Sequence, residues 1–250
     1  MHPNLFSIGP LTVHVYGLLV ALGILAASWY LTRNASWVDM TRDQMIDLIF
    51  VTTISGFVGA RILYVIYDFD YFKSSPLEIF AIWHGGIIFY GGLVGGVLGF
   101  VVQVTRMKKS LLRSLDLFTP ATALAQGFGR IGCFMNGCCY GKETSLPIGI
   151  RFPFHNAPLH PTQLYDAAFC FLLFALLASF YSKNSKREGT TSFLYFTLHP
   201  MGRFVIEFFR NDMPRLAFGF TLGQWMSALI LATTVLTFFV RRFCANANAR

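Results

Sequence analysis

Three arginines stand inside long apolar stretches of this chain: Arg61, Arg130 and Arg203. A guanidinium at membrane depth costs about 2.5–3.5 kcal/mol even on the lenient insertion scale, so such a residue faces a cavity or a partner. Arg203, Glu207 and Arg210 are spaced i, i+4 and i+7, which puts all three on one face of a helix. The chemistry that suits this set is capture of an oxyanion, because the planar arginine fork donates two parallel hydrogen bonds to a phosphate. The plainer alternatives are an internal ion pair between Arg203 and Glu207, and for Arg61 a bond to a carbonyl or a side chain that snorkels to the interface.

Three further segments carry polar groups at the edges of apolar runs. Residues 129–141 read GRIGCFMNGCCYG, where Asn136 can donate and accept at once or simply cap a helix end. Cys133, Cys138 and Cys139 raise a metal or redox reading, but their spacing matches no common zinc pattern, and the expectation is that no metal is bound. Residues 83–96 read WHGGIIFYGGLVGG; the 91/95 and 92/96 glycine spacings suit close helix packing, while Gly85 and Gly86 suit a bent entry to the helix. Tyr90 then stands near a helix top, and His84 before it is either an interfacial histidine or a titrating group near neutrality. Residues 160–166, HPTQLYD, place Pro161 where a first helical turn accepts it. His160, Gln163 and Asp166 are there either as capping groups or as lining of a cavity.

The elements that must position these residues are membrane spans. The chain has 250 residues, 54% hydrophobic and 13% charged, with 27 Phe, too much apolar surface for a water-soluble domain to cover. A span needs about 20 mostly apolar residues. Seven such stretches are legible, at 11–31, 45–67, 86–105, 115–137, 163–182, 190–209 and 220–240. The fold class expected is therefore all-α, a single integral membrane domain over 1–250 crossing about seven times. The first stretch lacks a basic n-region and a small-residue cleavage site, so it reads as a retained span. Basic residues are dispersed among the connections, which disfavours a nucleic-acid partner.

Their distribution sets an orientation. Arg33, Arg42, Arg106, Lys108, Lys109, Arg113, Lys183, Lys186, Arg187, Arg241, Arg242 and Arg250 fall in alternate connections. Lys73, Lys142, Arg151, Arg210 and Arg215 fall in the others, so the ratio is twelve to five. By the positive-inside rule the richer side is cytoplasmic, giving an external N-terminus and a cytoplasmic C-terminus. In that orientation Arg61, Arg130, Arg203 and Glu207 all fall in the outer half. Tyr16, Tyr90 and Tyr165 begin their spans at the same surface. A polar cavity opening to the outer leaflet is the simplest account. The connection 138–162 is the longest, lies outside, and its proline and aromatic content suggests a lid or substrate platform.

Taken together, these segments resemble the prolipoprotein diacylglyceryl transferase family. The likeness runs through Tyr16-Gly17, SGFVGARILYV at 55–65, WHGGIIFYGG, GRIGCFMNGCCYG, HPTQLYD, GRFVIEFFR at 202–210 and LGQWMS at 222–227. The resemblance implies transfer of the diacylglyceryl group of phosphatidylglycerol to the thiol of a lipobox cysteine in a preprolipoprotein. A thioether forms and glycerol 1-phosphate leaves, with no metal or soluble cofactor. It implies an enzyme of the bacterial inner membrane, whose partners are that lipid and that signal peptide. Carried over, Arg130 and Arg203 grip the phosphate, Glu207 holds Arg203, Asn136 orients the headgroup and Gly141 lets a loop approach. Tyr16 and Tyr90 stand at the cavity mouth, with Arg61, Arg210, His160 and Gln163 among the substrate-binding groups. Two positions depart from many relatives: Tyr90 where they carry His, and Cys133 where some carry Asn. Thiol activation is then expected from the arginine field, since arginine itself is no ordinary base.

The alternative from another class is a transporter or channel for an anion. Transporters place substrate at the midplane and often show internal repeats; no repeat is legible, and the polar residues gather at one surface.

Overall fold

The computed structural model describes residues 4–8, 11–81, 85–153, 155–184, 188–211 and 213–247. Each apolar stretch is a helix. In chain order the described residues form α1 (Val15–Arg33), α2 (Arg42–Tyr67), the short α3 (Phe69–Ser74), α4 (Phe89–Arg106), α5 (Leu111–Asn136), α6 (Thr162–Asn184), α7 (Thr190–Glu207) and α8 (Leu222–Ala247). Seven of these coincide with the seven apolar stretches to within a few residues at most ends.

One departure is at the N-terminus. The first helix begins at Val15 rather than near 11, because Asn4–Ile8 (β1) and Leu11–His14 (β2) pair as a small antiparallel hairpin. Leu11-Thr12-Val13-His14 alternates apolar and polar residues with two β-branched side chains, a strand pattern that a hydropathy window averages away.

Four helices, α1, α2, α4 and Thr162–Ser182 of α6, are long and apolar enough to cross a membrane, and α8 carries a shorter apolar run, Leu222–Thr237. Only 11–33% of those four apolar windows is buried within protein. Leu25, Trp29, Phe50, Phe57, Leu98 and Leu172 point outward, a surface that lipid must cover. The protein is therefore a polytopic membrane protein. The α5 and α7 helices are less apolar because they carry Asp116, Arg130, His199, Arg203 and Glu207.

The chain divides into two compact units, Leu31–Ser114 and the remainder. In the first, Thr41 opens α2 with a capping box: Gln44 N donates to its hydroxyl at 3.2 Å and Thr41 N donates to Gln44 Oε1 at 3.1 Å. The α2 and α4 helices then pack through glycines. A Cβ on Gly59 would lie 2.9 Å from the Gly95 Cα, and one on Gly95 3.0 Å from the Gly59 Cα, so neither position admits a side chain. Asp39 receives Lys109 Nζ on its carbonyl and Arg113 on its carboxylate, tying the start of α2 to the start of α5 within the same unit.

Arg61 shapes the connection between α2 and α4. Its Nε donates to Ile79 O at 3.0 Å, Nη1 to Gly85 O and Gly86 O at 2.6 and 2.9 Å, and Nη2 to Glu78 O and Ala81 O at 2.5 and 3.4 Å. A guanidinium has five N–H donors, and five carbonyls take them. Its carbon also lies 5.3 Å from the Phe72 ring centre. The positive φ of Gly85 and Gly86 turns their carbonyls toward it.

In the second unit a core of Ala123, Leu173, Leu177 and Tyr195 joins α5, α6 and α7. Asp116, 1% exposed, caps α7 from outside: Gly189 N donates to it at 2.6 Å and Ser192 N at 2.7 Å. The Ser192 hydroxyl adds a third bond at 2.6 Å, so a helix whose own N-cap is a glycine still has its first amides satisfied.

Candidate active site

The C-terminal turns of α5 and α7 and the first turns of α6 and α8 meet in the second unit, and each contributes one part of a charged cluster. Asp166, on α6, is its centre. Arg203 Nη1 donates to Asp166 Oδ2 at 2.8 Å, and Arg130 Nε forms an ion pair with the same oxygen at 2.9 Å. Arg203 reaches Glu207 one turn along α7, Nη2 to Oε2 at 2.7 Å, and Arg210 lies 3.8 Å from that oxygen. Three guanidinium groups thus meet two carboxylates here.

Burial grades the members. The Glu207 and Asp166 side chains are 1% and 4% exposed, Arg210 4%, Arg203 17% and Arg130 28%. Burying carboxylates this deep is costly unless cations and donors meet them. Glu207 has a further donor, the Thr221 hydroxyl at 3.0 Å on Oε1. Thr221 also starts α8, accepting from Gln224 N at 3.3 Å, while Thr221 N donates to Gln224 Oε1 at 3.0 Å. The carboxylate thus sits at the positive end of α8, and a Cβ on Gly223 would come within 3.0 Å of it. Arg130 engages Asp166 through Nε, so its two Nη nitrogens remain as donors on the most open of the five side chains.

The connection after α5 folds over this cluster. Gly141 N donates to His160 O at 2.9 Å, Lys142 N to Phe209 O at 2.7 Å, and Gly141 pairs with Arg210 as an antiparallel bridge. A Cβ on Gly141 would lie 2.6 Å from Phe209 O, 2.7 Å from His160 Cβ and 2.8 Å from Thr162 Cγ2, so glycine is required for the close approach. His160 Nδ1 is 3.0 Å from the Tyr165 hydroxyl, and its ring packs on Phe209. Gln163 Nε2 donates to Cys138 O at 2.5 Å and Thr162 Oγ1 to Cys139 O at 2.8 Å, pinning the loop to α6.

Of the residues singled out in the sequence, Arg130, Arg203, Glu207 and Arg210 join in one network, with Gly141, His160 and Gln163 bound to its overlying loop. Asn136 is exposed at the last residue of α5. Tyr16, 42% exposed in the first turn of α1, packs on Gly132, where a Cβ would lie 3.0 Å from its ring. Tyr90, 44% exposed in the first turn of α4, and Arg61 belong to the first unit. His84 lies outside the described residues. The sequence offers Asp166 as a cap or a lining group; the structure makes it the junction of two arginines. A carboxylate in an apolar helix with no cation on its own helical face was the signal that could have found it. Cys133, Cys138 and Cys139, set aside on spacing, lie together, their sulfurs all within 4.8 Å of one another.

Comparison with known proteins agrees along the whole chain. Residues 3–240 match the family profile described as "LGT: Prolipoprotein diacylglyceryl transferase". A phosphatidylglycerol–prolipoprotein diacylglyceryl transferase of Clostridium tetani is 37% identical over 248 residues, covering 97% of this chain and 99% of the relative. The protein of that name from Pasteurella multocida is 34% identical, covering 94% of this chain and 88% of its own. One from Staphylococcus carnosus is also 34% identical, over 96% and 90%. By the extent and identity of these matches, the chain belongs to the prolipoprotein diacylglyceryl transferase family.

Proposed function

We propose that this protein transfers the diacylglyceryl group of phosphatidylglycerol to the lipobox cysteine thiol of preprolipoproteins, with the Arg130–Asp166–Arg203–Glu207–Arg210 network as its phosphate site. The observation that carries the site assignment is the convergence of Arg130, Arg203 and Arg210 on Asp166 and Glu207, with the Nη pair of Arg130 open. As the thiolate sulfur bonds to the glycerol carbon, the carbon–oxygen bond to phosphate breaks and the oxygen keeps the electron pair. The leaving glycerol 1-phosphate then carries more negative charge than the diester did, so the arginines hold it more tightly than the substrate. The thiol proton goes to solvent or to the leaving phosphate, and the arginine field favours the thiolate.

The other residues follow from their surroundings. Asp166 and Glu207 orient Arg203, and Asp166 also orients Arg130. Gly141, His160 and Gln163 fix the loop over the network, Asn136 and Tyr16 meet the headgroup at its edge, and Tyr90 hydrogen-bonds lipid. With all five donors taken by carbonyls, Arg61 serves the loop before α4 rather than the phosphate. The seven long helices each cross the bilayer, N-terminus outside and C-terminus inside, in the bacterial inner membrane. The connection 138–162 is the external platform for the signal peptide. Purified protein incubated with phosphatidylglycerol vesicles and a lipobox peptide should yield the diacylglyceryl thioether by mass spectrometry; no product, with the protein folded, would refute the reading.

A further inference from the structure

The three cysteines beyond Arg130 are a feature that the transfer reaction does not use. Cys133 is in the last turn of α5; the helix ends with Gly137 N donating to Phe134 O at 3.1 Å and Cys138 N to Cys133 O at 3.2 Å. That turn folds Cys138 and Cys139 back beside Cys133. Cys138 and Cys139 sulfurs are 3.7 Å apart, and all three sulfurs lie within 4.8 Å of one another. Three thiolates at about 2.3 Å around a tetrahedral zinc would stand about 3.8 Å apart, so small side-chain rotations close the set on a cation.

The backbone carrying the sulfurs is held in place. Gln163, 1% exposed, donates to Cys138 O, and Thr162, 2% exposed, donates to Cys139 O. Cys139 adopts a φ of +63°, a left-handed conformation that a side chain rarely takes without surrounding support. All three thiols are free and partly open to solvent, whereas Cys170 is buried. Arg130 stands three residues before Cys133 on the same helix face.

We infer that Cys133, Cys138 and Cys139 form a binding site for one thiophilic divalent cation of the zinc type. Three thiols lose three protons and bind the cation as three thiolates, and water from the open side completes the tetrahedron. Uptake is accordingly favoured by rising pH.

The test uses the full chain in detergent, reduced and then freed of reductant under anaerobic conditions, with Co(II) and Zn(II) as probes. One equivalent of Co(II) should give a thiolate-to-metal charge-transfer band, abolished by one equivalent of Zn(II). Each of Cys133→Ser, Cys138→Ser and Cys139→Ser should weaken Zn(II) binding at least about 30-fold, and Cys170→Ser should leave it unchanged. Should a variant fail to fold, the wild-type protein still decides: Zn(II) should protect Cys133, Cys138 and Cys139 from alkylation, read by peptide mapping. No band and no protection, or binding that survives in the folded variants, would overturn the site. The readout is metal binding, so the result stands apart from the transfer assay.

Discussion

Asp166 holds Arg130 by an ion pair of 2.9 Å from Oδ2 to Nε, joining two helices through residues 36 positions apart in sequence. The same oxygen takes Arg203, so one carboxylate sets the geometry of both proposed phosphate ligands. Removing it leaves Arg130 without its carboxylate and Arg203 held by Glu207 alone, with the two guanidinium groups repelling each other. Asp166→Ala is expected to lower kcat/KM by about 100-fold, the loss typical of misplaced charge stabilisers. Adding Arg130→Lys to Asp166→Ala should lower it by much less than the product of the single effects, because the pair acts as a unit. Independent, multiplicative losses in this double-mutant cycle would show that Asp166 does not act through Arg130.

Gly141 offers a second test, of the loop. A methyl at this position meets Phe209 O at 2.6 Å and His160 Cβ at 2.7 Å. Both neighbours are tied by the backbone, so Gly141→Ala must push the loop off α7 and Arg210. The expected cost is about 1–3 kcal/mol, visible as a lower thermal midpoint in detergent, together with loss of transfer. Wild-type stability with wild-type turnover would mean that the loop can yield without harm to the site.

How far the sequence alone reached depends on the range of the interaction. The seven long helices were legible because twenty apolar residues have few other uses, and the Gly91/Gly95 spacing announced the α2–α4 contact that Gly59 completes. The pairing of Arg203 with Glu207 is local to one helix turn and was legible too. Asp166 was not assigned, because its partners come from two other helices and no spacing rule links them. Arg61 shows the same limit. Nothing in its neighbourhood tells that five carbonyls between Glu78 and Gly86 will surround it. The three cysteine sulfurs meet only through the turn at the end of α5, which the C-x₄-C-C spacing does not reveal.

Arg61 accordingly separates stability from chemistry. Arg61→Gln strands several part-buried carbonyls, each worth about 1 kcal/mol or more when left unmet. The variant should unfold at a clearly lower temperature, with transfer per folded molecule within about threefold of wild type, a change under about 1 kcal/mol. Unchanged stability with abolished transfer would return Arg61 to the phosphate site.

The orientation is open to reporter fusions. Fusions after Leu31, Met107 and Lys186 should report the cytoplasm, and fusions within 138–162 the outside, as the twelve-to-five distribution of basic residues requires. The reverse pattern would put the arginine network at the inner leaflet, away from an exported signal peptide.

The most direct measurement of the central claim is steady-state transfer by Arg130→Lys and Arg203→Lys in phosphatidylglycerol vesicles. Lysine keeps the charge and removes the planar fork, so a phosphate clamp and a mere charge balance give different answers. Both variants should insert and fold, yet kcat should fall by about 100-fold or more for Arg130→Lys and comparably for Arg203→Lys. Wild-type kcat in both would contradict the assignment of this network as the phosphate site.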